Sequence, residues 1–214
     1  MNTDAAVVEG RPWVVFDVDG VLLDVRPSFY AIIRAMSGAT DADIQLFKAA
    51  GGYNDDWELA RAAYSWIRAR RPKPIPPGGW RTLVNRCGND PGDLAPRCRA
   101  MYLAGLWREE QVMVDTERLV RLASRANVAA CTGRDRTELA LAEERLGFRF
   151  PVATTCEDVR KPDPRALLRL APGGDFFGDS EDDRRCAQAA GFRFHPVTDS
   201  PLPALDAILE ALGA

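Results

Sequence analysis

The sequence predicts an α/β fold with a parallel sheet, interrupted once by an all-α segment. Three observations support this prediction. Five short apolar runs each end abruptly in polar residues, and amphipathic stretches of helical length separate the later runs. Between residues 26 and 114 this rhythm breaks, because helical patterns follow one another there without a convincing strand.

The predicted strands begin with the apolar run Trp13–Phe16, which leads into a tight polar loop. Four later runs show the same pattern: Val128–Cys131, Val152–Thr155, Phe176–Phe177 and Phe192–Phe194. Five helical patterns accompany them: Thr116–Ala126, Arg136–Leu146, Pro164–Leu170, Asp182–Ala190 and Ala204–Leu212. Gly147 and Gly191 follow two of these helices, where left-handed glycines are common. Such alternation implies right-handed crossovers, so functional side chains are expected beyond the carboxyl ends of the strands.

The interrupting segment is predicted to be helical. Its helical patterns are Ser28–Met36, Asp41–Ala50, Trp57–Arg71, Trp80–Cys87 and Leu94–Glu109. The Pro- and Gly-rich stretch Pro72–Gly79 connects two of them. We therefore predict a core domain of residues 1–25 and 115–214 and an inserted helical domain of residues 26–114.

Composition limits the classes of function. With 46% hydrophobic residues among 214, the chain has enough apolar side chains for a buried core. Its formal net charge of -3 argues against nucleic-acid binding, which requires a basic face. No segment is long and apolar enough to predict a membrane span, and the first eleven residues show no secretory signal. We expect neither nucleic acid nor membrane as a partner.

Cysteine and histidine usage narrows the chemistry further. The five cysteines are odd in number and show no C-x-x-C motif, which favours reduced thiols in a cytoplasmic protein over disulfides or zinc. His195 is the only histidine, so a site of several histidines is excluded. A Ser-His-Asp triad would have to use that one residue, which a strand-end position does not favour.

The loop Asp17-Val18-Asp19-Gly20 is the first candidate for chemistry. Two carboxylates at positions i and i+2 of a turning loop can face one site, and glycine lets the backbone turn sharply. One carboxylate could attack phosphorus to form an aspartyl-phosphate, and the other could protonate the leaving oxygen and later activate water. The same pattern is also common in surface turns, so on its own it leaves both interpretations open.

Two further segments carry groups that suit an anion. Thr132-Gly133-Arg134 offers a hydroxyl and backbone N–H groups that can hold phosphoryl oxygens, although the threonine could equally cap a helix. Arg134 is assigned no role, since arginine is the common cation of this chain. Lys161, in Lys161-Pro162-Asp163-Pro164, could neutralise a phosphate and a carboxylate, although most lysines are solvated.

The fourth candidate is the acidic segment Gly178–Asp183. Asp179 at a strand end suits a direct Mg²⁺ ligand, and Asp183 at the start of a helix could reach the metal or its waters. An acidic helix N-terminus is the alternative, because the helix dipole favours negative charge there. That alternative is preferred for Glu181 and Asp182, which are left out of the site.

Together the four segments resemble the motif signature of the haloacid dehalogenase-like superfamily. The order is D-x-D-G, T-G, K-P and G-D-x-x-x-D, each after a predicted strand, and the resemblance covers Trp13–Val25 and Asp115–Pro196. It implies a Rossmann-like core that uses Mg²⁺. The implied catalytic residues are Asp17 as nucleophile and Asp19 as general acid/base. The implied phosphoryl-binding residues are Thr132, Gly133 and Lys161, and the implied metal-binding residues are Asp17, Asp19 (through its backbone carbonyl), Asp179 and Asp183.

The inserted segment is placed like the helical cap that follows the first motif in one subgroup of this superfamily. Residues 51–57 resemble a G-G-Y-N-x-D-W segment of a phosphatase-like branch, which implies substrate contacts by Gly52, Asn54 and Trp57. The alternative is a helix junction in which Asn54 or Asp55 is an N-cap and Trp57 lies in the core of the cap. The sequence leaves both open.

The resemblance implies a Mg²⁺-dependent phosphatase that hydrolyses a phosphomonoester through an aspartyl-phosphate. Its partner would be a small phosphorylated metabolite, and the oligomeric state is left open. Aspartate at position 19 disfavours dehalogenase and phosphonate-cleaving activities. A phosphomutase of the same superfamily and a non-catalytic binding protein on this fold are the alternatives. The presence of Asp17, Asp19 and Asp179 argues against the last.

Overall fold

The computed structural model describes residues 7–53 and 55–213. The chain divides into two compact units. The first comprises Met1–Asp24, Gln111–Asp179 and Asp183–Ala214, and the second comprises Val25–Glu110 and Ser180–Asp182. The segment Val25–Glu110 of the second unit overlaps residues 26–114, and the predicted domain bounds stay a prediction.

A five-stranded parallel sheet forms the centre of the first unit, in the order β5-β4-β1-β6-β7. The strands of the described residues are β1 (Trp13–Phe16), β2 (Leu23–Asp24), β3 (Gln111–Val112), β4 (Asn127–Cys131), β5 (Val152–Thr154), β6 (Asp175–Gly178) and β7 (Arg193–Pro196). The central strands β1, β4 and β6 are almost entirely buried, as expected for parallel strands that helices cover on both faces. The predicted α/β fold with a Rossmann-like core is confirmed.

Helices connect the strands and fill the second unit. In the described residues they are α1 (Ala31–Ser37), α2 (Asp41–Ala50), α3 (Asp56–Arg68), α4 (Gly79–Cys87), α5 (Leu94–Leu103), α6 (Thr116–Ala123), α7 (Arg136–Leu146), α8 (Arg165–Leu168), α9 (Glu181–Ala190) and α10 (Leu202–Ala211). Gly147 ends α7 with the left-handed backbone expected from the sequence (φ 64°). No helix in the described part of the chain is both long and apolar enough to cross a membrane.

The strands β2 and β3 form a separate antiparallel ribbon. It pairs Leu23 with Val112 and Asp24 with Gln111, at the points where the chain leaves the first unit and returns to it. The expectation of no strand between residues 26 and 115 is therefore wrong. Strands of two residues carry no alternation of polar and apolar side chains that the sequence could reveal.

The second unit contains α1–α5, a π-helical turn at Arg26–Tyr30 and a 3-10 turn at Leu106–Glu109. Two predicted helices end earlier than expected. α3 ends at Arg68, since Arg70 and Arg71 take left-handed backbone angles (φ 61° and 58°) that no helix continues through. α5 ends before Gly105, whose φ of 135° breaks the segment that was predicted to be one helix.

Candidate active site

Asp17 lies directly after β1, the central strand of the sheet. Its backbone N–H donates to the carbonyl of Phe177 at 2.8 Å, which extends the pairing of β1 with β6 by one residue. The N–H of Val18 donates to Asp17 Oδ1 at 2.8 Å. The side chain is buried and held at the carboxyl edge of the sheet, where open α/β folds place their sites.

Gly20 lets the first loop pass close to Asp179. Its φ is +74°, and a Cβ built on it would overlap the carboxylate of Asp179. The N–H of Gly20 donates to the carbonyl of Leu23 at 2.9 Å, which closes the loop. Any other residue would be strained by its backbone and would also displace Asp179, so glycine is required on two grounds.

Three carboxylates converge at this edge. One oxygen each from Asp17, Asp179 and Asp183 lies within 4.8 Å of the others. Gly178, at the end of β6, makes room for this arrangement, since a Cβ there would overlap the side chain of Asp183. Carboxylate oxygens are the ligands that Mg²⁺ prefers, so this donor set fits a divalent cation of that kind.

Lys161 contributes a buried ammonium to the same cluster. Its Nζ lies 3.0 Å from Asp17 Oδ1 and also contacts Asp183 Oδ1. The lysine and both carboxylates are at most 5% exposed. One ammonium among three carboxylates leaves the cluster with excess negative charge whenever all three are ionised, which is a further reason to expect a cation there.

Burial and neighbouring charges shift the pKa values of Asp17 and Lys161. Burial raises the pKa of Asp17 well above its ordinary value; Lys161 opposes this rise, and the carboxylates of Asp183, Asp179 and Asp19 add to it. Burial lowers the pKa of Lys161, but Asp17 and Asp183 more than offset that effect and hold it well above the ordinary value. Lys161 therefore stays charged and opposes the protonation of Asp17 that burial favours, so the pKa of Asp17 is lower than it would be without the lysine.

Thr132 follows β4, which pairs with β1 in a register that sets Ala130 opposite Phe16. Its N–H donates to the carbonyl of Thr154 at 3.0 Å, and its Oγ1 accepts from the N–H of Arg134 at 3.2 Å. Thr132 and the Gly133 that follows it thus lie in the loop after the strand next to β1. Their predicted role in binding phosphoryl oxygens stays a prediction.

Asp19 is paired with Arg134, a residue for which no role is predicted from the sequence. Arg134 donates from Nη2 at 2.6 Å and from Nε at 2.8 Å to Asp19 Oδ1. The guanidinium is 1% exposed. One signal in the sequence could have identified Arg134, since it directly follows the Thr132-Gly133 pair.

Three residues of the inserted segment, Gly52, Asn54 and Trp57, were predicted to contact substrate. Asn54 lies outside the described residues. Gly52 has a φ of +83°, and a Cβ on it would lie 2.9 Å from the backbone N of Gly79, so close packing of two loops requires this glycine. The N–H of Gly52 donates to Asp182 Oδ2 at 2.8 Å.

Trp57 packs inside the second unit. Its ring stacks on Phe29 with the centroids 4.7 Å apart and lies 5.8 Å from Tyr102. Asp55 is the N-cap of α3, because its side chain accepts from the N–H groups of Trp57 and Glu58. These contacts match the alternative of a helix junction, and they give substrate contact by Trp57 no support.

Solved structures resemble the chain over most of its length. Phosphatase Tt82 from Thermococcus thioreducens is 27% identical with a TM-score of 0.72, covering 92% of this chain and 99% of that one. A protein of Lactobacillus plantarum, provisionally named a phosphoglycolate phosphatase, is 20% identical with a TM-score of 0.61 and covers 92% and 98%. A protein of Thermotoga maritima, provisionally named a beta-phosphoglucomutase, is 20% identical with a TM-score of 0.56 and covers 94% and 98%.

The amino-acid sequence of the chain matches one protein family. No curated protein matches the chain significantly. A family model described as haloacid dehalogenase-like hydrolase matches residues 12–172, a span that contains three of the four motifs. The resemblance inferred from the motifs and the prediction of a hydrolase are confirmed. The chain belongs to the haloacid dehalogenase-like hydrolases.

Proposed function

We propose that the chain is a Mg²⁺-dependent phosphatase that hydrolyses a small-metabolite phosphomonoester through a phosphorylated Asp17. One observation carries the proposal. A buried carboxylate at the end of the central strand shares one cluster with two further carboxylates and an ammonium. This combination suits covalent transfer of a phosphoryl group to a side-chain oxygen, because it supplies a nucleophile and the charges that offset a phosphate.

The first step transfers the phosphoryl group to the enzyme. An oxygen of Asp17 attacks phosphorus, the bond from phosphorus to the substrate oxygen breaks, and Asp19 gives a proton to that leaving oxygen. Lys161 holds one phosphoryl oxygen, and the hydroxyl of Thr132 with the N–H of Gly133 holds another. Preorganised donors of this kind stabilise the charge that develops during transfer.

The second step returns the carboxylate. A water molecule attacks phosphorus, Asp19 takes a proton from that water, and the bond between phosphorus and Asp17 breaks. Inorganic phosphate is the product, and Asp17 regains its carboxylate. A residue that donates a proton in the first step is in the correct state to accept one in the second, so Asp19 serves both.

The acidic cluster supports a cation requirement. Asp17, Asp179 and Asp183 would hold Mg²⁺ through carboxylate oxygens and Asp19 through its backbone carbonyl. When bound, a divalent cation offsets negative charge so that an anionic carboxylate and an anionic phosphate can approach. We keep a cytoplasmic location and the absence of nucleic-acid and membrane partners as predictions.

Replacement of Asp17 by asparagine tests the proposal. We expect Asp17→Asn to abolish Mg²⁺-dependent hydrolysis of p-nitrophenyl phosphate, because the amide cannot form the phosphoryl bond, while circular dichroism shows an intact fold. Asp163→Asn is the matched control. Asp163 follows Lys161 by two residues, forms an ion pair with the exposed Arg165 and has no part in the proposed reaction. Unchanged turnover in Asp17→Asn would remove Asp17 from the nucleophile role.

A substrate screen separates the phosphatase from the phosphomutase. Purified protein with Mg²⁺ is supplied with sugar, amino-alcohol and nucleotide monophosphates, and inorganic phosphate is measured. A phosphatase releases phosphate in proportion to the substrate consumed. A mutase instead returns the group to the substrate, so an isomer would accumulate with little phosphate. The greater similarity to a phosphatase than to the provisionally named mutase supports the first outcome.

A further inference from the structure

Arg134 is a buried arginine in the loop between β4 and α7, and both ends of the residue are anchored. Its backbone N–H donates to Thr132 Oγ1 at 3.2 Å. Its side chain donates from Nη1 to the carbonyl of Glu138 at 3.3 Å. Glu138 belongs to the capping box that starts α7, so the guanidinium is tied to a well-defined helix end.

Two other donors of this guanidinium reach the same atom. Nε and Nη2 both donate to Oδ1 of Asp19, at 2.8 and 2.6 Å. Two donors of a rigid planar group fix the direction of the carboxylate as well as its distance, which an ammonium cannot do.

Burial sets this pair apart from the other arginines near the site. The side chain of Arg134 is 1% exposed and that of Asp19 11%. Arg136, two residues further on, pairs with Asp158 but is 63% exposed. Taking a guanidinium out of water is expensive unless it is well paired, and the partner of Arg134 is the residue assigned to proton transfer.

We propose that Arg134 is a positioning residue that holds Oδ1 of Asp19 and so aims Oδ2 at the leaving oxygen and then at the attacking water. The inference rests on the proposed function, because it assigns Arg134 to the proton transfers of that reaction. Correct orientation of a catalytic group is worth orders of magnitude in rate, and a displacement of about 1 Å can cost about 10²-fold.

The test compares two aryl phosphates. Phenyl phosphate has a poor leaving group that needs a proton, whereas 2,4-dinitrophenyl phosphate has a good one that departs without it. In Arg134→Gln we expect the single-turnover rate of phosphoryl transfer from phenyl phosphate to fall by about 10²-fold. With 2,4-dinitrophenyl phosphate we expect a change below about 3-fold, followed by slow hydrolysis of the phosphoenzyme.

Three further variants make the result specific. Arg136→Gln is the matched control and should behave like the wild type with both substrates. The double variant Asp19→Asn with Arg134→Gln should be no slower than Asp19→Asn alone, because residues that act as a unit are not additive. Arg134→Lys keeps the buried charge and is measured in the same way if Arg134→Gln does not fold; it should show the same selective loss for phenyl phosphate.

The outcomes are distinguishable. Equal losses with both substrates, or additive losses in the double variant, would overturn the positioning role of Arg134 and assign it a structural one. Both results would leave the proposed function in place as long as the wild type and Arg136→Gln turn over with Mg²⁺. Turnover that survives in Asp17→Asn would instead overturn the proposed function.

Discussion

Replacement of Lys161 by methionine is expected to destabilise the protein strongly. The ammonium lies 3.0 Å from Asp17 Oδ1 and also contacts Asp183. At that distance the attraction to Asp17 is about 5.5 kcal/mol for an effective dielectric constant of about 20. Desolvation offsets part of it, and loss of one partner of a buried pair typically costs about 3–5 kcal/mol. We expect the free energy of unfolding of Lys161→Met to be about 3–5 kcal/mol lower than that of the wild type.

The assay is urea unfolding in EDTA, followed by far-UV circular dichroism. Lys73→Met is the matched control, because Lys73 is exposed, and we expect it to change the free energy of unfolding by less than about 0.5 kcal/mol. Added Mg²⁺ should stabilise Lys161→Met more than the wild type, since the cluster has lost a competing positive charge, while turnover stays low. A loss below about 1 kcal/mol for Lys161→Met would refute the reasoning that the lysine holds two carboxylates together.

Two further predictions concern the first loop and the thiols. Gly20→Ala should raise the Mg²⁺ concentration required for half-maximal turnover, since a Cβ there displaces Asp179; Gly10→Ala has a similar φ but nothing within 4 Å, and should leave that concentration unchanged. Equal effects of the two variants would contradict the argument from contact. Cys98 is fully buried and burial raises its pKa to about 11, so this thiol should resist iodoacetamide at pH 8, because the reagent needs access to a thiolate. Peptide mapping checks this against the half-buried Cys156 and against urea-unfolded protein, and rapid labelling of Cys98 in the native state would contradict it.

The sequence predicted the parts of the fold that have a local signal in the chain. The parallel strand β1 was visible because Trp13–Phe16 is continuously apolar and ends sharply at Asp17. The end of α7 at Gly147 was visible because a left-handed glycine stops a helix in a recognisable way. In both cases the signal is local, so one sequence suffices.

Features that depend on contacts between distant residues were not predictable in this way. The ribbon of β2 and β3 forms between residues far apart in the chain, and each strand is too short to show a pattern. The pairing of Arg134 with Asp19 joins residues 115 positions apart. In a chain rich in arginine, the position of Arg134 directly after Thr132-Gly133 is the one local signal, and it does not reveal that Asp19 is its partner.

The most direct test of the central claim is mass-spectrometric mapping of the phosphoenzyme. Asp19→Asn is mixed with 2,4-dinitrophenyl phosphate and Mg²⁺, quenched in acid within the first turnover and digested. Our account predicts a phosphoryl group on the peptide that contains Asp17, at that aspartate. Two results would contradict it. One is release of phosphate by the wild type and by this variant with no phosphorylated peptide in either. The other is a phosphoryl group on a residue other than Asp17.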